Sequence, residues 1–310
     1  MLRRTGMVVA GVALLAAAGC GGKPANVLVL KGADSMVILA QKWADAFMAA
    51  NPGKVVKVSG GGSAVGIASL IGGGADLALT TRPLTKDEAD QVLARRKADA
   101  KEAAVALDAI VVWVNAKNGV SSLSLAGLGK IYSGEITDWK KAGASKKGAI
   151  SLVGAENASD LSLAFKEKVL KGAEPLATVK ALPGTAAVLE AIVADPLAIG
   201  YGNLAAVPKG VKALKLRAKT TAVAASAKDL QAGRYPLGQK LLVCTAGEPA
   251  EGSLAAEFVA FALSADGQKV AAEAGYVPLK AVKAAKAAKA AKKPAAKKAT
   301  TSKPKAAAKK

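Results

Sequence analysis

The chain has 310 residues, of which 52% are hydrophobic, so it is long enough to bury a large core, and two lobes are expected. It contains no histidine, which removes the usual general base and the commonest metal ligand and argues against most hydrolases. The formal net charge is +21, but twelve lysines and no acidic residue lie at 280–310, so the rest of the chain is only mildly basic. With no metal-ligand spacing and no nucleophile motif either, we expect no enzyme activity, no metal and no cofactor.

The N-terminus is typical of an export signal. Two arginines precede an apolar run that is too short to span a bilayer comfortably. The sequence AAGC at 17–20 resembles a bacterial lipobox, in which the cysteine is lipidated and becomes the first residue. The alternative is a signal for soluble secretion with an incidental cysteine. We expect a signal peptide at 1–19, lipidation of Cys20 and a tether at 20–25.

The first part of the body alternates predicted strands and helices, which is the pattern of a parallel α/β sheet. A strand at 27–30 precedes a helix with Ser35 as its predicted N-cap. The stretch 55–83 then contains a strand, a glycine turn, a short helix headed by Ser63, and a second strand that ends in Thr80, Thr81 and Arg82. A capping box at 85–88 opens a polar helix.

The glycine turn before Ser63 lies at the carboxyl end of a strand, where parallel α/β sheets bind ligands. Free N–H groups and the helix dipole make such a helix start suitable for an anion. Three interpretations stay open here: a turn without ligand, a small-anion site, or a dinucleotide site, since Gly60, Gly62 and Gly66 space like a variant of the dinucleotide fingerprint. Taken singly, Ser35 and Ser63 are each better explained as a plain helix cap.

The remainder of the body continues the α/β pattern. A long apolar strand at 106–115 is a natural crossing between lobes, and a helix is predicted at 123–132. Ser159 heads a helix that reaches residue 170. Cys244 lies in an apolar strand and is interpreted as a small core residue. Further elements are a strand at 150–153, a strand end at 198–202, a strand at 241–245, and helices at 253–264 and from 266.

Six motifs, in order within 26–279, resemble the phosphate-binding, PstS-like branch of the periplasmic substrate-binding proteins that serve ABC importers. GADSM at 32–36 resembles the family's GSDTM, GGGSAVGI at 60–67 its GGGSGTGI, TTRP at 80–83 its SSRP, and IYSGEITDW at 131–139 its IFxGxIxNW, while AIGY at 198–201 and GYVPL at 275–279 match directly. So many spaced motifs exclude the dinucleotide interpretation.

The resemblance implies a two-lobed type II periplasmic binding protein that closes over an anion in the cleft between its α/β lobes. Lobe I would comprise 26–107 and about 235–279, and lobe II 108–234. In this family hydroxyls and N–H groups at helix starts hold the oxyanion together with one arginine. Carried over by position, the expected ligand-binding residues are Ser35, Ser63, Thr81 and Ser159, with Met36, Ala64, Arg82 and Asp160 as further candidates. Arg82 could instead serve the structure by pairing with a carboxylate.

One element departs from the family pattern. Where the family has Arg-x-x-x-Ser-Gly-Thr, this chain keeps only the serine, as Ser159, and has Ala155, Asp160 and Leu161 at the other positions. Arginine gives bidentate, charge-assisted bonds to phosphate, and alanine gives none. If the Asp160 carboxylate faces the cleft, it repels a dianion. The sequence therefore predicts that phosphate binding is weakened or that the ligand has changed.

The lysine- and alanine-rich tail at 280–310 has no apolar face, and we expect it to be disordered. It suits binding to polyanions such as anionic lipid or polysaccharide, or it is a solvated extension without a specific role. The expected function is a monomeric, lipid-anchored receptor at the periplasmic face of a membrane or the cell surface, which delivers phosphate or a similar oxyanion to an ABC importer permease. The alternative is a cell-envelope interaction protein that keeps the fold but has lost tight anion binding.

Overall fold

The computed structural model describes residues 24–144, 147–204 and 207–279, in which helices pack against a curled, mixed β-sheet. The predicted signal peptide at 1–19, Cys20 and the tail at 280–310 lie outside the described residues. In the described part of the chain, no helix combines the length and the hydropathy needed to cross a membrane.

The elements follow one another in three groups along the chain. The first group is β1 (Val27–Gly32), α1 (Asp34–Ala50), β2 (Val55–Ser59), α2 (Ser63–Gly72), β3 (Leu77–Thr80), α3 (Lys86–Arg96) and β4 (Ala100–Asn115). The second is β5 (Ser122–Ser124), α4 (Leu125–Tyr132), β6 (Ser151–Ala155), α5 (Asp160–Leu170), β7 (Lys180–Leu182), α6 (Gly184–Ala194), β8 (Ala198–Asn203), β9 (Val211–Ala213), β10 (Lys215–Arg217) and α7 (Ala227–Gln231). The third is β11 (Gly238–Ala246), α8 (Leu254–Leu263) and α9 (Ala265–Glu273).

The main sheet has the strand order β2-β1-β3-β11-β4-β8-β6-β7, and β9 also pairs with β4. β1 runs parallel to both β2 and β3, so the carboxyl ends of these three strands meet at one edge. β11 is antiparallel to β3 on one side and to β4 on the other. The first turns of α1 and α2 therefore lie at the same edge as the end of β3.

The first and third groups of elements form one half of the molecule, and the second group forms the other half. β4 is the strand that crosses between these two halves. Its first part pairs with β11 up to Ala109, and its second part pairs with β8 from Ile110 onward. The strand predicted at 106–115 in fact begins at Ala100. The sequence pattern missed the first residues because Lys101 and Glu102 are exposed and break the apolar run.

Two large hydrophobic cores lie on either side of this crossing, as expected for a two-lobed α/β protein. One packs α1, α8 and α9 against the sheet, with Trp43, Phe47 and Phe258 buried in it. Helices α2 and α3 bury their apolar residues in a smaller, separate cluster. Trp43 joins α1 to α9 by donating its Nε1–H to the Gly267 carbonyl over 2.7 Å. The other large core surrounds Trp113 of β4 and Phe165 of α5, and it contains most of the second group. The fold class predicted from the sequence is therefore correct.

Some predicted helix boundaries were wrong in detail. Ser35 is not the N-cap of α1, because Ala33 holds that position and the Ser35 hydroxyl caps nothing. The helix predicted from 123 begins at Leu125, since Ser124 caps it by accepting from the Gly127 N–H over 2.9 Å. The capping box at Thr85 is confirmed, with bonds in both directions between Thr85 and Glu88. Helices α6 and α7 were not identified from the sequence.

Candidate functional site

Three strand ends and the loops that follow them build the candidate site on the first half of the molecule. The glycine turn after β2 is held to the end of β1, because the Gly62 N–H donates to the Gly32 carbonyl over 3.1 Å. Gly61 and Gly62 have φ angles of 116° and 90°, a backbone conformation that favours glycine. Gly61 also donates its N–H to Asp34 Oδ1 over 2.8 Å, which ties the turn to the first turn of α1. Asp34 was not identified from the sequence as part of this arrangement.

The third glycine of the motif has a packing role. A Cβ atom at Gly66 would lie 2.4 Å from the Lys31 carbonyl oxygen and 2.6 Å from the Gly32 Cα. Real side chains never approach backbone so closely, so only glycine lets α2 lie directly against the end of β1. This close approach sets where the first turn of α2 stands.

Ser63 is the first residue of α2, and its side chain is buried. Its hydroxyl accepts from the Thr81 N–H over 3.2 Å and donates to Asp160 Oδ2 over 3.0 Å. Its backbone N–H donates to both carboxylate oxygens of Asp160, over 3.1 and 2.9 Å. We call the N–H and hydroxyl of this residue the Ser63 site. The structure thus brings together Ser63, Thr81 and Asp160, three of the residues named from the sequence.

The Ser63 site has the chemistry of an oxyanion-binding group. Hydrogen bonds from N–H groups to a carboxylate at a helix start are charge-assisted and are favoured by the helix dipole. Here the two oxygens of the Asp160 carboxylate accept from these donors. The donors of this site are therefore of the type that holds a negatively charged oxygen, and neither of them is a cation.

Ser35 and Ser159 differ from Ser63 in their hydrogen bonds. Ser35 is the second residue of α1, and its buried hydroxyl has no partner within the described residues. Its carbonyl accepts from the Tyr276 hydroxyl, which joins the GYVPL motif to this helix start. Ser159 caps α5 by accepting from the Ser162 N–H over 3.2 Å, and its own hydroxyl donates to the Glu156 carbonyl over 2.7 Å. Ser159 thereby fixes the start of the helix that carries Asp160.

Met36 and Ala64 are the candidates that could offer a backbone N–H group, and they differ in exposure. Met36 is fully buried in the first core, and its N–H already donates to the Ala33 carbonyl over 2.9 Å. Ala64 is exposed in the first turn of α2, where N–H groups have no acceptor inside the helix. Of these two, Ala64 has the N–H suited to an external anion.

Arg82 pairs with Glu88 in a bidentate ion pair. Its two terminal nitrogens lie 2.8 Å from the two carboxylate oxygens of Glu88, and one of them also donates to the Pro83 carbonyl over 3.0 Å. The hydrogen bond from Arg82 lowers the pKa of Glu88 to about 2. The pKa of Arg82 is raised mainly by Glu88 and to a smaller extent by the charge of Asp160. The guanidinium is therefore used to hold the loop after β3 to α3.

The second half of the molecule contributes no cation at position 155. Ala155 is buried at the end of β6, and a Cβ atom at the preceding Gly154 would lie 2.7 Å from the Tyr201 ring. Tyr201 stacks on Phe165 with 3.7 Å between ring centroids, and burial raises its pKa to about 12, so it stays neutral. Leu161 is buried as well. Tyr201 thus covers the strand end where the resemblance places an arginine, a contact that the AIGY motif alone did not predict.

Comparison with known proteins agrees with this architecture. A model of the PBP superfamily domain matches residues 21–266. The phosphate-binding protein PstS of Bacillus subtilis is 30% identical over 264 residues, which cover 84% of this chain and 83% of that protein. Two solved structures are each 25% identical to the chain. An ABC-type phosphate transport receptor from Vibrio cholerae has a TM-score of 0.71 and covers 81% of this chain and 99% of its own. The other is a provisionally named substrate-binding protein of a phosphate ABC transporter from Clostridium perfringens, solved with phosphate bound. It has a TM-score of 0.68, and the match covers 82% of this chain and 100% of that protein.

The match to the superfamily model spans most of the chain, and the Bacillus subtilis relative is 30% identical over 84% of it. The chain therefore belongs to the PBP superfamily and, within it, to the PstS-like substrate-binding proteins.

Proposed function

We propose that this chain is an extracytoplasmic receptor for phosphate or a related oxyanion and delivers its ligand to an ABC importer. The observation that carries this proposal is the Ser63 site, where an N–H and a hydroxyl at a helix start bind the two oxygens of an anionic group. The relatives named as phosphate-binding proteins and phosphate transport receptors support the same ligand class. As a receptor, the chain would bind its ligand and catalyse nothing.

The finer parts of the proposal follow from the sequence. Lobe I would consist of 26–107 and about 235–279, and lobe II of 108–234. The ligand would lie between the lobes, within reach of Ser35, Ser63, Thr81 and Ser159. The receptor would act as a monomer, held by a lipid on Cys20 at the periplasmic face of a membrane or at the cell surface. The tail at 280–310 would add electrostatic contact with anionic lipid or polysaccharide.

A thermal-shift screen of the full chain with phosphate, sulfate, molybdate and organic phosphates tests this function. A ligand present at 100 times its Kd stabilises the folded state by about 2.7 kcal/mol, which raises the melting temperature by several degrees. We expect phosphate at millimolar concentration to produce such a rise. Because Ala155 and Leu161 provide no polar group and Asp160 is anionic, we expect calorimetry to give a Kd above the sub-micromolar range. No rise with any of these oxyanions would contradict the proposal.

Ser35→Ala sharpens this test. The Ser35 hydroxyl has no partner within the described residues, so its removal costs no internal hydrogen bond. If the hydroxyl binds the oxyanion, phosphate affinity falls roughly tenfold or more while the melting temperature without ligand is unchanged. Ser69→Ala, on the half-buried side of α2, is the matched control and should leave affinity unchanged. Equal affinities for both variants and the wild type would remove Ser35 from the site.

The alternative function, a cell-envelope interaction protein without tight anion binding, is favoured by one observation. The donors of the Ser63 site are bound to the chain's own Asp160. Under this alternative no oxyanion changes the melting temperature, and the chain binds polyanions through its lysines in a salt-dependent manner. The screen therefore separates the two functions.

A further inference from the structure

Asp160 stands at the first position of α5 and reaches across to the first position of α2. The two residues in contact, Asp160 and Ser63, are separated by 97 residues of chain, and their helices belong to the second and first groups of elements. Three hydrogen bonds of 2.9 to 3.1 Å join them, all donated by Ser63. The carboxylate is thus held by the same donors that suit an external oxyanion.

We infer that Asp160 is an internal anion that occupies the Ser63 site and holds the two halves of the molecule together, so that an incoming oxyanion must displace it. This inference rests on the proposed function, because it describes how ligand access to that same site is regulated. A carboxylate attached to the protein competes at a high effective concentration, since no association entropy is lost when it binds.

The local design of α5 supports this role. Ser159 caps the helix and uses both hydrogen-bonding capacities of its hydroxyl locally, which fixes the residue next to it. Lys168 on the same helix donates to the Gly238 carbonyl over 3.1 Å, so α5 also contacts the start of β11. α5 therefore contacts the other half of the molecule at two places, through Asp160 and through Lys168.

The charge of Asp160 contributes to the raised pKa of Arg82, and this arginine is already paired. Arg82 is engaged by both oxygens of Glu88. Ala155, at the end of β6, offers no charge to a ligand. A dianion entering the site would therefore meet the negative charge of Asp160 without a free compensating guanidinium. Displacement of the carboxylate, or its removal by substitution, is the condition for tight binding.

Asp160→Asn in the full chain tests the inference. The amide keeps the size of the side chain but removes the charge that is held by the N–H and hydroxyl of Ser63. We expect calorimetry to show that phosphate binds this variant roughly tenfold tighter or more than the wild type. Without ligand, we expect small-angle X-ray scattering to show a larger radius of gyration, because the halves are no longer joined. Asp160→Ala should show both effects, which guards against a residual contact through the amide.

The matched control is Asp266→Asn. Asp266 also lies in the first turn of a helix that a serine caps, but it is exposed on α9. This variant should keep the affinity and the radius of gyration of the wild type, because it loses only the favourable placement of an acid near a helix start.

The outcomes separate this inference from the proposed function. If the wild type binds phosphate and Asp160→Asn binds it no tighter, the inference is overturned and the receptor function stands. If no variant binds any oxyanion but Asp160→Asn expands the ligand-free protein, the joining contact stands and the receptor function fails. If neither affinity nor radius of gyration changes and nothing binds, both are wrong.

Discussion

Ser35, Ser63 and Ser159 each stand near the start of a helix, yet each hydroxyl has different partners. The Ser63 hydroxyl bonds to Asp160 and Thr81, the Ser159 hydroxyl bonds within its own turn, and the Ser35 hydroxyl is unpaired within the described residues. In the local sequence, all three positions look alike, because each is a serine at a predicted helix start. Which hydroxyl is available for a ligand depends on what packs opposite, and only the folded chain shows that.

A second residue with unusual surroundings is Asp108, which is fully buried where β4 changes partners. Its Oδ1 accepts from the N–H groups of Ala109 and Leu204, whereas its Oδ2 has no partner within the described residues. Gln239 lies directly opposite in the ladder, and its Oε1 is also unpaired there. Burial raises the pKa of Asp108 from 3.8 to about 6.

This raised pKa predicts a pH dependence of stability. Below about pH 4 the carboxyl is protonated in both states, and between about 4 and 6 only the folded state keeps the proton. The folded state therefore loses stability as pH rises through this window, by roughly 3 kcal/mol for a rise from 3.8 to about 6, and loses no more above it. Asp108→Asn should remove this slope and raise the melting temperature above pH 7, because the amide can donate towards Gln239.

Chemical denaturation of the wild type and Asp108→Asn between pH 4 and 8 measures the effect. Asp45→Asn, an exposed change on α1, is the control and should follow the wild type. A slope that persists in Asp108→Asn would show that other groups cause it.

At the scale of elements, the position of α2 decides where the Ser63 site stands. The helix can lie against the end of β1 only because Gly66 has no side chain to meet the Lys31 carbonyl. The glycine turn before it is anchored to Gly32 and to Asp34. The glycines of this motif therefore position the donors of the site by close packing.

Gly66→Ala tests this packing. The added methyl group must push α2 away from β1, and overpacking of this kind costs about 1–3 kcal/mol, which is several degrees in melting temperature. Because the shift moves Ser63, oxyanion affinity should fall as well. Gly72→Ala, at the other end of α2, meets nothing within 4 Å and should be neutral or stabilising by up to about 1 kcal/mol. Equal melting temperatures for both variants would contradict this account of α2.

At the scale of the whole molecule, two cores share one sheet. β4 and β11 lie side by side at its centre, and the C-terminal helices α8 and α9 return to the first core. The segment after α9 then packs across the middle. Leu107 and Val277 exchange two backbone hydrogen bonds of 2.8 and 2.9 Å, and Val277 is buried in the second core. This short segment therefore ties the end of the described chain to the crossing strand.

Two truncations test the role of this segment. A chain that ends after Leu279 keeps all these contacts, so its unfolding free energy should equal that of the full chain. A chain that ends after Gly275 loses the burial of Val277, its two backbone bonds and the bond from the Tyr276 hydroxyl to the Ser35 carbonyl. It should be destabilised by about 3 kcal/mol or more. Denaturant unfolding of the three chains measures the difference. A full loss of stability already in the longer truncation would instead assign a stabilising role to 280–310.

Much of the architecture could be predicted from the sequence, because the sequence patterns that indicate these elements are local. The βα turns, the capping box at Thr85 and the crossing strand at 106–115 each depend on residues within a few positions of one another. The six motifs placed the chain in its family for the same reason. The helix boundary at Ser35 was wrong because several residues near a helix start can serve as its cap, and only the backbone geometry identifies Ala33.

What the sequence determined by itself was the α/β class, the first strands and helices of the chain, the family, and the absence of an arginine at position 155. What only the tertiary structure decided was the use of each group: that Asp160 binds the donors of Ser63, and that Arg82 is paired with Glu88. The physical reason is distance along the chain. Residues 97 positions apart meet only when both lobes have folded and the crossing strand β4 has brought the two helix starts close together.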